Sequence, residues 1–162
     1  MKRVLFLSAF VILVNTISSQ DIPAKLNNIK TDKYVNVLGT DVWMIPPAGY
    51  TSAPGAMNLK KDDSNIIQVM LGENFDKASA EMTIARFEKE NTVVNEYKYF
   101  KLNGYNAKFF WLQDVGSFKN YMLIFGDSNA STLIMAKYNA DDKKAEKALR
   151  KAILSTLTEK VK

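Results

Sequence analysis

The stretch Val93-Val94-Asn95-Glu96-Tyr97-Lys98-Tyr99-Phe100-Lys101-Leu102-Asn103-Gly104-Tyr105-Asn106-Ala107-Lys108-Phe109-Phe110-Trp111-Leu112-Gln113 decides the fold. Asn103-Gly104 is a two-residue turn that favours positive φ at both positions, the geometry whose twist suits two antiparallel strands. Such a turn sets the register, so Leu102 faces Tyr105 and the remaining pairs follow by counting outward. Side chains alternate across a strand. Leu102, Phe100, Tyr105, Ala107, Phe109 and Trp111 therefore share one face, whose only charges are Glu96 and Lys98, expected to form a cross-strand or snorkelling pair. The other face holds Lys101, Asn106 and Lys108 near the turn, then Tyr99, Tyr97, Phe110 and Leu112 farther away. One face is covered along its length and the other only at its far end.

Working outward, Phe118–Phe125 and Ser131–Tyr138 are apolar on both faces, as central strands covered on two sides should be. Gly126-Asp127-Ser128-Asn129 turns between them. Upstream, Met57–Lys60 and Ile66–Leu71 predict a strand pair around the polar turn Lys61-Asp62-Asp63-Ser64-Asn65. Val42–Ile45 predicts a strand stopped by Pro46-Pro47, which cannot donate to a ladder. A short strand over Tyr34–Leu38 precedes it, broken at Gly39-Thr40-Asp41, and Gly49, Pro54 and Gly55 mark a loop after it. Gln20–Thr31 has no apolar period and reads as a lead-in.

Two segments read as helix. Phe75–Glu90 follows Asn74, a suitable N-cap, but carries two stripes: Phe75, Ala78, Met82 and Ala85 on one side, Ala80, Ile84 and Phe87 on nearly the other. A break near Thr83 is the leading explanation. A helix wedged between layers and a partner-binding stripe at Ile84 and Phe87 are the alternatives. The last helix starts after Asp141 or Asp142, either suited to cap it, and shows one clean stripe from Ala145 through Leu149, Ile153 and Leu157. Lys143, Lys147, Arg150 and Lys151 line its opposite, solvated side. The expected class is α+β: an α/β/α sandwich, one antiparallel sheet of about six strands with helices on both faces.

The chain opens with Lys2 and Arg3, an apolar run from Val4 to Val14 broken by Ser8, and small residues at Thr16 and Ser18. That is the pattern of a cleaved export signal over 1–19, and the run is too short to span a bilayer of roughly 30 Å. The expected layout is a signal peptide at 1–19, a lead-in at 20–40 and a single domain at 41–162, secreted or periplasmic. Lys2 and Arg3 leave with the signal, and the formal charge of +5 falls to about +3. This is too mild a balance to imply nucleic acid.

Cys and His are both absent. The chain then has no disulfide, no lipidation cysteine, no Ser-His or Cys-His nucleophile pair and no zinc-type ligand set. Any catalysis would rest on carboxylates, Lys, Tyr or Ser, and any metal would be hard and oxygen-bound. Asp62-Asp63 and Asp141-Asp142 lack the spaced ligands and turn glycine of a calcium loop. No catalytic residue, metal site or cofactor is expected. Asn129-Ala130-Ser131 matches a glycosylation acceptor, which matters only in a cell that modifies such sites.

Several strings together resemble the PsbP-like superfamily, including its DcrB-type bacterial branch. They are Val42-Trp43-Met44-Ile45-Pro46-Pro47-Ala48-Gly49-Tyr50, the helix after Asn74-Phe75, Leu102-Asn103-Gly104-Tyr105-Asn106-Ala107-Lys108, Ile124-Phe125-Gly126-Asp127 and Leu154-Ser155-Thr156-Leu157. They span about Val42 to Leu157 and consist of turns and strand patterns. The resemblance implies an α/β/α sandwich and binding without chemistry. Similar domains serve as an accessory subunit of photosynthetic oxygen evolution, as a partner of a nuclear-transport GTPase and as bacterial envelope lipoproteins. This chain lacks the lipoproteins' anchoring cysteine and any metal-binding histidine of photosynthetic members, and no binding residue carries over by position.

The candidate binding surface is Tyr97, Tyr99 and Phe110 with Lys101, Asn106 and Lys108, since rings beside polar groups suit sugars, peptides and other amphipathic ligands. Helix packing on those rings is the competing explanation. Trp43 and Tyr50 flank the double proline and form a second candidate, against ordinary packing beneath the loop. The expected function is an exported, non-catalytic accessory or binding module that docks a protein or envelope component. The alternative is a small-ligand carrier or carboxylate-dependent hydrolase using the aromatic half face. A deep pocket with convergent carboxylates would favour the alternative, a shallow apolar face the first.

Overall fold

Asn103 and Gly104 take φ of +49° and +89°, and the two strands they join run over the predicted residues: β7 (Val93–Leu102) and β8 (Tyr105–Gln113). Leu102 pairs with Tyr105, Phe100 with Ala107, Lys98 with Phe109 and Glu96 with Trp111. A bulge between Val94 and Glu96 then shifts the register at the far end. The structure, a computed structural model of the chain, describes residues 21–52, 55–72, 75, 80–113 and 116–158. The expected signal segment, Pro54, the Asn74 cap and positions 76–79 of the first predicted helix lie outside those residues.

Next to β8 come β9 (Phe118–Gly126) and β10 (Ser131–Asn139), then β6 (Asn65–Gly72), β5 (Asn58–Asp62) and β4 (Thr51–Ser52). At the opposite edge β1 (Lys25–Leu26) lies parallel to Lys101 and Leu102 of β7. The sheet order is β1-β7-β8-β9-β10-β6-β5-β4, eight strands rather than about six, with one parallel pair in an otherwise antiparallel sheet. The two extra strands are two residues long each, too short to show any period. A second sheet of β2 (Val35–Asn36), β3 (Val42–Met44) and β11 (Leu157–Thr158) has β3 at its centre. The β5–β6 turn is tighter than the predicted five residues. The Asp62 carboxylate accepts from the Ser64 N–H (2.9 Å) and from Asn65 Nδ2 (3.0 Å), closing the chain at Asp63-Ser64.

Two apolar clusters accompany the large sheet, and residues of one helix pack into each. The first cluster includes Phe100, Leu102, Ala107, Phe109, Tyr121, Leu123 and Phe125, packed with Leu149, Ala152 and Ile153 of α2 (Lys143–Leu154). The second joins Phe75, Phe110, Leu112, Met122 and Ile124, with Ile84 and Phe87 of α1 (Ala80–Lys89) against them. Helix α1 runs unbroken through Thr83, contrary to the expected break. Its Ile84 and Phe87 side packs on the sheet and leaves Met82 in water. Helix α2 is capped by Asp142, whose Oδ1 accepts from the N–H of Lys144 and Ala145 (3.1 and 2.9 Å).

Two polar clasps complete the fold, and the first differs from the expected pairing. Glu96 pairs not with Lys98 but with Arg150 of α2, through two bonds of 2.7 and 2.9 Å, and the guanidinium lies 4.9 Å from the Phe109 ring centre. Arg150 is thereby drawn off the solvated stripe, while Lys98 reaches Asp21 at 3.7 Å. The second clasp ties the lead-in to the hairpin tip. Asn103 Oδ1 accepts from the Asn28 N–H (2.7 Å), and Asn103 Nδ2 donates to the Thr156 carbonyl (2.9 Å). Asn28 Nδ2 donates to the carbonyls of Leu154 and Thr156, past the end of α2.

Candidate functional site

Alternation along β7 and β8 places all six hairpin candidates on one side, and the structure shows what covers that side. The rings of Tyr97 and Phe110 lie 5.0 Å apart, and Phe87 of α1 meets Phe110 edge-on at 6.0 Å. Phe110 is fully buried and Tyr97 half-buried. Lys108 is buried too, 6% exposed, with its ammonium donating to the Phe75 carbonyl at 3.4 Å and lying 4.2 Å from that ring. A buried cation must find such partners or lose its charge. Asn106 is half-buried and accepts from the Lys101 ammonium. Of the six, Tyr99 (53% exposed) and Lys101 face water. Helix packing, the competing explanation for these rings, accounts for Tyr97 and Phe110.

Trp43 and Tyr50 are separated by the fold. Trp43 sits on β3 opposite Asn36 and Leu157, on the side of the small sheet away from buried Val42 and Met44. The Lys30 ammonium lies 3.1 Å from its ring centre, a cation–π contact. Tyr50 instead packs against the first cluster with its hydroxyl buried and without a hydrogen-bond partner. Burial, with smaller contributions from Asp62 and Asp142, pushes that phenol up to about 12.

The depression beside those carboxylates is lined by Asp62, Ser64, Asn65, Asn139, Asp141 and Asp142 and lies open to solvent. Its oxygens are largely committed. Asp62 is held below the usual carboxylate range by its bonds from Asn65 and Ser64, and Asp142 caps α2. No group of three or more acidic residues able to hold a metal occurs among the described residues. A second open groove, along Met57, Asn58, Gln68, Val69, Met70 and Leu71, mixes polar and apolar lining.

Sequence reasoning named Trp43 but missed its surroundings. Ile45 lies two residues on, hence on the same side of the chain, and Ile29 precedes the lysine that stacks on the ring. Ile29 is 82% exposed, the most exposed large apolar side chain among the described residues. The alternation Val42, Trp43, Met44, Ile45 was a usable signal for Ile45; nothing local marks Ile29.

No family model and no curated protein matches this sequence. Among solved structures, the chain is similar to the solution structure of cyanobacterial PsbP (CyanoP) from Synechocystis sp. PCC 6803. The TM-score is 0.51 at 10% identity, covering 90% of this chain and 99% of that one. The fold is PsbP-like. A crystal structure from Bacteroides thetaiotaomicron VPI-5482 covers 80% of this chain and 49% of that chain at 14% identity, with a TM-score of 0.44. At such identities the likeness to the PsbP-like structure concerns the fold and carries no residue role. No helix among the described residues is long and apolar enough to cross a membrane.

Proposed function

We propose that the protein is an exported, non-catalytic accessory module that docks a protein or envelope component of a bacterial cell. The observation that carries this reading is which side chains the fold consumes and which it leaves in water. Glu96 and Arg150 are spent on each other, Lys108 is spent on Phe75, and the aromatic half face is filled by α1. Meanwhile Ile29, Ile45, Tyr99 and Val93 stand exposed, the kind of apolar surface that marks interaction sites when it is contiguous. The carrier or hydrolase reading needs that half face as a pocket, and Phe87 occupies it. The helices as layers on opposite faces, an α/β/α sandwich, belong to the same proposal, supported by one apolar cluster beneath each. Export is supported by the charged start, apolar run and small residues of the first nineteen positions. The closer likeness to DcrB-type bacterial proteins rests on the sequence strings alone.

Photo-crosslinking side chains placed at Ile29, Tyr99 and Lys147 in the native cell test docking. Adducts are expected from Ile29 or Tyr99 and not from Lys147 on the exposed side of α2. An absence of adducts from both apolar positions would overturn it. Fractionation tests export: chain recovered uncut from the cytosol would sink that part of the proposal.

A further inference from the structure

Asn103 is held more tightly than a turn requires. Its N–H donates to the Leu26 carbonyl at 2.9 Å. Its Oδ1 accepts from the Asn28 N–H at 2.7 Å, and its Nδ2 donates to the Thr156 carbonyl at 2.9 Å. A two-residue turn of this kind is made by Asp-Gly as well as by Asn-Gly, so the hairpin alone gives no reason for an amide here. The residue that follows makes that amide reactive. Gly104 is exposed, with nothing within 4 Å of the position a Cβ would take. A glycine sets no side chain between its own nitrogen and the carbonyl of the preceding side chain.

We infer that Asn103 is a modification site: an asparagine that deamidates by attack from its own chain, kept intact while the lead-in is docked and releasing the lead-in once converted. The Gly104 nitrogen attacks Asn103 Cγ and gives up its proton as the five-membered ring closes, and the side-chain nitrogen leaves as ammonia. Water then opens the cyclic imide at either carbonyl, leaving aspartate or isoaspartate at position 103. Ring closure needs the reacting atoms about 3–3.5 Å apart and correctly oriented, and it rotates the side chain about both of its bonds. The bonds to Asn28 and Thr156, anchored on separate segments, resist that rotation, so the reaction waits for local opening. The product cannot restore the clasp. An ionised aspartate has no donor, and it would meet the Thr156 carbonyl acceptor to acceptor. The isoaspartyl form adds a backbone atom to a two-residue turn and spoils the register that the turn sets. Conversion makes a passing release of residues 21–30 from the hairpin tip a lasting one.

The test follows the mass gain and the added negative charge at position 103 in the full chain, by peptide mapping and ion exchange at mildly alkaline pH. Folded wild type should convert at least about ten-fold more slowly than the same chain unfolded in guanidinium chloride, because opening gates the reaction. Asn28→Pro removes the N–H donor, and Asn28→Ala removes the two bonds that fix residue 28 in place. Each should speed conversion of the folded chain by at least about three-fold. Val69→Ala, a core change on β6 at a distance from the clasp, should convert as wild type does. The converted fraction, separated by its charge, should be cut by trypsin at Lys25, Lys30 or Lys33 at least about three-fold faster than the intact chain, and Asn103→Asp should be cut faster too. Equal rates in the folded and unfolded chains, no gain from either Asn28 variant, or an equal gain from Val69→Ala would overturn the inference. So would an unfolded chain that does not convert, or a converted fraction as resistant to trypsin as the intact protein.

Discussion

Gly104 has φ +89°, and nothing lies within 4 Å of the position a Cβ would take. A side chain there meets backbone strain and no neighbour. Gly104→Val should therefore cost on the order of 1–3 kcal/mol in urea melts, while Lys101→Ala, beside the same turn, should stay within about 0.5 kcal/mol. A harmless Gly104→Val would mean that the turn tolerates another geometry and that the register has some other source. Asn103 does more than turn the chain, since its side chain holds Asn28 and Thr156. A different demand falls on Tyr50, whose buried hydroxyl has no partner and whose phenol is raised from 10.0 to about 12, mainly by burial. A raised folded value means the folded chain holds the proton more tightly than the unfolded one. The associated stability is fully present below pH 10 and is lost as pH rises towards 12. Tyr50→Phe should be neutral or slightly stabilising at pH 7, because an unsatisfied buried group is removed. In melts above pH 10 it should also show a shallower alkaline loss than wild type. A clear destabilisation at pH 7 would show that the hydroxyl has a partner after all.

At the scale of elements, α2 is fastened to the large sheet by apolar burial and to β7 by one ion pair. Leu149, Ala152 and Ile153 provide the burial. Arg150 provides two bonds to Glu96 with both side chains largely out of solvent. Breaking such a pair leaves an uncompensated charge, so Arg150→Ala should cost about 3 kcal/mol. Replacing both members, Glu96→Leu with Arg150→Met, should cost markedly less than the single change. A double variant as unstable as Arg150→Ala would show that packing over Phe109, and not charge, is what Arg150 contributes. The hairpin behind this clasp was legible in the sequence because Asn103-Gly104 sets a register and strand side chains alternate with period two. The clasp was not legible. Helical period shows which side of α2 is polar, but not which polar residue stands at the boundary and meets a glutamate 54 positions away. The same limit applied to Lys108 and Phe110. Alternation placed them on the less covered face, but the packing of α1 there depends on contacts remote in sequence.

Across the whole molecule, the segment with least pattern joins the most parts. Residues 21–30 bury Ile22 in the first cluster, add β1 parallel to β7 and place Lys30 on Trp43. They also bind the hairpin tip and the chain after α2 through Asn28. None of this has a period, because a two-residue strand and single-residue anchors are too short to repeat, so composition and alternation pass over it. Ile29 went unnoticed for the same reason, and with it the apolar face beside Trp43. If the segment is an integral part of the fold, removing residues 21–30 should cost more than an ordinary surface loop would. It takes away one buried isoleucine, worth about 1.5–3 kcal/mol, and several part-buried hydrogen bonds at about 1 kcal/mol each. The loss should therefore reach at least about 3 kcal/mol in urea melts, with a single cooperative transition retained. The single variant Asn28→Ala should reproduce part of it, because the carbonyls of Leu154 and Thr156 and Asn103 lose a shared partner or a fixed neighbour. A truncated chain as stable as the full one would show that these contacts hold the segment in place without holding the domain together. The small sheet would then draw its rigidity from its own strands β2, β3 and β11 alone.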